Sequence, residues 1–158
     1  MTTKYLARHA GQIVGKRTTE NRTYSHAYVM QYSETKARDA AYGYVATKQD
    51  RKTYDWYADK VARGVGARAW PDSEYLADVL LTEKDITEAR EQIEGGFDGY
   101  VARLRQNHID HFERNLAKGG FSPFVGGWAS RPDLAEKAAR QFETRGCDFV
   151  AIVATEVA

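Results

Sequence analysis

Five consecutive positions near the end of the chain, Phe149-Val150-Ala151-Ile152-Val153, carry no polar side chain. Successive side chains of a strand point to opposite faces. A strand of this kind, apolar on both faces, belongs inside a sheet. It requires other strands beside it and helices above it. Upstream, Phe121 to Ala129 reads as a strand interrupted by Pro123 and Gly126-Gly127. Between the two, Ser130 suits a helix cap, Pro132 the first turn and Asp133 the positive end of the helix dipole. That helix runs to about Thr144 and stops at Gly146. Strand, helix and strand form a βαβ unit, with a right-handed crossover if the strands pair in parallel.

At the other end, Gly11 to Gly15 and Thr23 to Tyr32 predict a β-hairpin joined by the polar, basic stretch Lys16 to Arg22. In its second arm Tyr24, His26, Tyr28, Met30 and Tyr32 share one face. From Ser33 the apolar period changes to three and four. Helices are expected from Ser33 to Val45, from Arg51 to Arg63 and, briefly, after Trp70-Pro71-Asp72. A long run then follows from the Thr82/Asp85 capping box to Leu116. Gly95, Gly96 and Gly99 predict a kink or break within that run. The fold class is α+β: an N-terminal hairpin and a C-terminal βαβ unit forming one mixed four-stranded sheet, with a multi-helix segment (about 33–118) between them. A chain of 158 residues suits one domain, 1–158, in which the helical excursion packs either with the sheet or as a sub-lobe.

Composition narrows the function classes. Aromatics make up 12% of the chain and the net charge is only +1, which excludes a disordered chain. One cysteine, Cys147, excludes a disulfide framework and reads as a small buried thiol. No apolar run approaches the roughly 20 residues of a membrane span, and no signal peptide is visible, so a cytoplasmic protein without a membrane partner is expected. The small net charge is a cancellation. Residues 1–70 hold thirteen Lys and Arg against six Asp and Glu, whereas residues 71–100 hold two against nine. A basic half suits an anionic partner, and an acidic helical block suits solvent or a basic protein groove.

The basic part is also aromatic: eight of the ten tyrosines lie within the first 57 residues. Single-stranded nucleic acid is held by cationic grooves and by aromatic planes on which bases stack. Arg8, Lys16, Arg17 and Arg22 supply the charge, and Tyr24, His26 and Tyr28 supply the planes. The same tyrosine face equally suits a sheet core packed under helices. His108 and His111, three apart on the long helix, are the weak candidates for a metal, because zinc sites need three or four protein ligands. Gly126-Gly127 before the Pro132 helix suits either a phosphate at a helix start or a β-bulge. No nucleophile elbow, phosphate loop or dinucleotide fingerprint is present, and no cofactor is called for.

The residues therefore point first to a non-catalytic binding module for nucleic acid or a nucleic-acid-handling protein complex. The second reading is a protein-binding inhibitor or adaptor, in the compact, motif-poor style of phage and mobile-element proteins. The third is a small enzyme with unassigned acid and base residues.

Overall fold

The computed structural model describes residues 1–143 and 146–158. The protein is α+β, but its sheet has five strands where four are expected. These are β1 (Thr3–His9), β2 (Gln12–Thr19), β3 (His26–Tyr32), β4 (Phe124–Ala129) and β5 (Cys147–Val157). The helices are α1 (Glu34–Tyr42), α2 (Lys48–Arg63), α3 (Glu83–Ile93), α4 (Gly96–Ala117) and α5 (Pro132–Glu143). The expected end of α5 at Thr144 lies outside the described residues. Strand order is β2-β1-β5-β3-β4, so the apolar strand β5 is the middle one.

Three expectations are corrected. The N-terminal hairpin is β1 with β2, and β3 pairs instead with β4 and β5. Its turn is Ala10-Gly11, both with positive φ (48° and 79°), the conformation that a two-residue turn needs to match the twist of its arms. The stretch from Lys16 to Thr19 is strand rather than loop, because Arg17 pairs across the ladder with Tyr5 and Thr19 with Thr3. Second, the βαβ unit is split: β3 lies between β4 and β5, and every strand pairing among the described residues is antiparallel. The sheet is thus not mixed in its pairing, although β4 and β5 run in the same direction. Third, no helix follows Trp70-Pro71-Asp72. That stretch folds back on itself, with Ala69 N donating to Val79 O at 2.7 Å and Leu81 N to Ala67 O at 2.8 Å.

The long amphipathic run does break at the glycines. Gly95 and Gly96 take φ of 76° and 71°, separating α3 from α4. Thr82 and Asp85 form the expected capping box, and Thr47 and Asp50 form a second one at the start of α2.

The residues group into two compact units, 1–38 with 112–158 and 39–111. The first holds the whole sheet and α5. Its core is Tyr28, Met30, Ala135, Ala139 and Cys147, with Phe124 and Phe142 packed against it. β2 and β4 end the strand order, yet they approach each other. A Cβ on Gly15 would lie 2.4 Å from Val125 Cγ2, and the Trp128 ring is 3.5 Å from the same point. The sheet is curled, and the absence of a side chain at position 15 permits the approach. In the second unit, Tyr54 of α2 meets Phe97 and Tyr100 of α4 at ring distances of 5.4 and 5.7 Å. Unit by unit, the charges separate: thirteen basic against eight acidic residues in the first, ten against fourteen in the second. Among the described residues, no helix is long and apolar enough to cross a membrane.

Candidate functional site

Strand alternation decides which basic residues of the first unit can act together. On β2, Arg17 stands across from buried Tyr5, while its neighbour Lys16 stands across from Leu6 and therefore points to the opposite face. Tyr5 meets Tyr24 edge-on, with centroids 5.6 Å apart and planes at 83°. The Arg17 guanidinium lies 4.8 Å from the centre of the Tyr24 ring. Trp128 of β4 completes the group, its ring 6.2 Å from that of Tyr24. Hydrogen bonds anchor the Tyr24 backbone, since the Thr155 hydroxyl of β5 donates to Tyr24 O.

Arg17, Tyr24 and Trp128 line an open cleft of about 730 Å³ between the β2–β3 connection, the end of β4 and the start of α5. Arg17 and Arg22 bring positive charge, Trp128 brings aromatic surface beside the largely buried Tyr24 (7% exposed), and Leu134 and Ala138 of α5 bring an apolar wall. Asn21, Thr23 and Ser130 add neutral polar groups, and no carboxylate lines the cleft. A second cleft of about 520 Å³ adjoins it, lined by Thr2, Thr18, Thr19 and Glu20. The two share Arg17, Asn21, Arg22 and Tyr24. Both arginines are exposed, and neither is in a salt bridge among the described residues.

Of the seven residues singled out in the sequence, Arg17, Arg22, Tyr24 and Tyr28 come together here. Tyr28 does so from the core: its ring packs against Gly126 and Gly127, where a Cβ would lie 2.4–2.9 Å from it. Arg8, Lys16 and His26 are elsewhere. Arg8 Nε donates to Glu156 Oε2 at 3.0 Å across the β1–β5 ladder. His26 Nδ1 is 2.8 Å from Ser25 Oγ, which in turn donates to Ser130 O at 2.6 Å. A carbonyl only accepts, so the serine proton is spent there and Nδ1 must be the donor to Ser25. This arrangement is the reverse of an activated serine nucleophile, in which the histidine accepts the hydroxyl proton. Trp128, Ser130 and Leu134 are lining residues that lie outside the basic hairpin of the sequence reading, and the strand-then-helix signal around Gly127 and Pro132 is the available pointer to them.

His108 and His111 take separate surroundings in the second unit. His108 stacks on Tyr44, with centroids 4.3 Å apart and planes at 28°, and His111 is exposed. The Tyr44 hydroxyl donates to Asp50 Oδ2 at 2.5 Å, which also accepts from Thr47 N and Thr47 Oγ1. The bond from Tyr44 is the main reason that the Asp50 carboxyl sits below its ordinary range, with the Thr47 cap adding to it. The same bond pushes the Tyr44 phenol up to about 12. Among the described residues, no group of three or more His, Cys, Asp or Glu could hold a metal ion.

No protein-family model, curated protein or solved structure matches this chain.

Proposed function

We propose that the protein is a binding module for single-stranded nucleic acid, read in the cleft of Arg17, Arg22, Tyr24 and Trp128. The observation that carries this reading is one cleft holding two guanidiniums without carboxylate partners among the described residues, beside the Trp128 ring and the largely buried Tyr24. Guanidinium forks match phosphate oxygens, and aromatic planes accept unpaired bases at about 1–3 kcal/mol each. A base in a duplex has both faces covered by its neighbours, so a recess of this kind favours an unpaired strand. The measurement is fluorescence anisotropy with labelled twelve-nucleotide single-stranded RNA, single-stranded DNA and a duplex, each at two salt concentrations. Single strands are expected to bind more tightly than the duplex, with affinity falling steeply as salt rises. Equal binding of all three, or none at low salt, overturns the reading.

A second reading, a protein-binding adaptor or inhibitor, rests on the segment 65–80 of the other unit. Tyr75 is fully exposed there, and Trp70, Leu76, Val79 and Leu80 are 40–51% exposed. Asp72, Glu74 and Asp78 stand among them without a salt bridge among the described residues. Apolar surface interleaved with carboxylates suits a basic protein surface of the kind that nucleic-acid-handling complexes present. Replacing Tyr75 and Leu76 by Ser should release such a partner and leave nucleic-acid binding unchanged; retention of the partner removes this segment from the interface.

A further inference from the structure

The two clefts adjoin at one pair of arginines, and that layout specifies more than a preference for single strands. Arg17 and Arg22 belong to the lining of both, as do Asn21 and Tyr24. On one side lie Trp128, Leu134 and Ala138, an aromatic and aliphatic recess of about 730 Å³. On the other lie Thr2, Thr18 and Thr19, bordering a recess of about 520 Å³. Both volumes fall in the roughly 300–1,000 Å³ range of small-molecule sites, large enough for one nucleoside each.

Resting on the single-strand reading above, we infer that the unit recognised is a dinucleotide step: two adjacent nucleosides, one per recess, with the phosphate that joins them held between Arg17 and Arg22. The charge distribution fits this layout. The positive groups are concentrated at the shared boundary. The Trp128 recess has only neutral lining beyond them, and Glu20 lies in the threonine recess. A carboxylate repels a phosphate but accepts hydrogen bonds from sugar hydroxyls and base amino groups. The threonine recess is therefore suited to a nucleoside and unsuited to a second phosphate. The Trp128 recess offers an apolar wall and an aromatic ring to a base, with Asn21, Thr23 and Ser130 available for its polar edge. Tyr24 is only 7% exposed and Arg17 lies over its ring, which leaves Trp128 as the aromatic ring available to a base.

The test uses the full chain and short ligands of defined chemistry: UMP, UpU, dTpdT and dTpdT with a neutral methylphosphonate linkage. Each competes against the labelled twelve-nucleotide strand, and amide shifts are followed by ¹H–¹⁵N NMR. UpU or dTpdT is expected to compete at least tenfold better than UMP. It should shift amides of Thr18 and Thr19 together with those of Gly127 to Ser130. The methylphosphonate is expected to lose at least tenfold against dTpdT, because the arginine pair has no charge left to hold. This ligand-side control leaves the protein untouched, so misfolding cannot mimic it. A dinucleotide no better than UMP, shifts confined to one recess, or an undiminished methylphosphonate overturns the step while the twelve-nucleotide strand still binds. Failure of the twelve-nucleotide strand itself removes the single-strand reading and the step together. A preference for UpU over dTpdT, or the reverse, is expected to appear in the threonine recess, where the shifts of Thr18 and Thr19 report it.

Discussion

The guanidinium of Arg17 lies 4.8 Å from the centre of the Tyr24 ring, and Tyr24 is in turn seated edge-on against buried Tyr5. The cation is thus positioned by a stack that begins in the sheet core, while its donors face open cleft. Such a contact contributes about 0.5–1 kcal/mol at an exposed site, enough to favour one orientation of a long side chain. A lysine lacks both the plane and the fork, so the two cations are not equivalent here.

Arg17 and Arg8 lie on adjacent strands and carry the same charge, yet they should behave differently. Arg17→Ala is expected to weaken binding to a single-stranded twelve-mer and to lower the slope of log affinity against log salt by about 1. Arg8 is engaged with Glu156 at 3.0 Å, with both side chains about half exposed. Arg8→Ala should leave the slope unchanged and alter stability by less than about 1 kcal/mol. Equal effects of the two substitutions on the salt slope would return Arg17 to the bulk of the charged surface.

The curl of the sheet depends on one missing side chain. Gly15→Val places its Cβ within 2.4 Å of Val125 Cγ2, so one strand must give way. Overpacking of this kind costs about 1–3 kcal/mol. Urea denaturation should record that loss, and Val125→Ala in the same chain should restore part of it, because the Cβ of residue 125, 2.9 Å from the added one, remains. Additive losses in the double variant would show that Gly15 and Val125 do not compete for the same space.

How far this was legible follows from which signals are local. The apolar stretch Phe149 to Val153 marked the central strand, and the Thr82/Asp85 capping box and Gly95 and Gly96 marked the helix limits, because each acts within a few residues. Strand partners are not local. The run Thr3–His9 carries Lys4, Leu6 and Arg8 on one face of an outer ladder, which hid the buried alternation of Tyr5 and Ala7. Missing β1 displaced the hairpin by one strand. The split of β4 and β5 by β3 was invisible for the same reason. At the site, the arginines and Tyr24 were apparent from composition, whereas Trp128 and Leu134 arrive from more than a hundred residues away through the curl.

Tyr28 separates a core role from a cleft role. It is 8% exposed, and its ring packs against Gly126, Gly127 and, at 6.2 Å, Phe142. Tyr28→Ala should cost about 3–5 kcal/mol by thermal or urea unfolding in the absence of any ligand. Leu134, 42% exposed and lining the same cleft, should cost far less when replaced by Ala but should weaken strand binding. A small stability loss for Tyr28→Ala would make its ring part of the recess rather than of the core.

The Tyr44–Asp50 hydrogen bond links the start of α2 to pH at both ends of the scale. Asp50 titrates below its ordinary 3.8 in the folded protein, first because of the bond from Tyr44 and then because of the Thr47 cap. A depressed carboxyl contributes stability that is complete above the unfolded value and lost as pH falls through the folded one. Tyr44 moves the opposite way, from 10.0 to about 12. Its contribution is complete below pH 10 and lost as pH rises from 10 to about 12. Tyr44→Phe removes the shared bond while keeping a ring against His108. The stability difference between wild type and Tyr44→Phe should therefore form a plateau between about pH 4 and 10 and shrink on either side. In the variant, ¹³C NMR of the Asp50 carboxyl should show titration moved toward the ordinary value but still below it, because Thr47 remains. A difference that stays constant from pH 2 to pH 12 would mean that the hydrogen bond does not couple these two groups to folding.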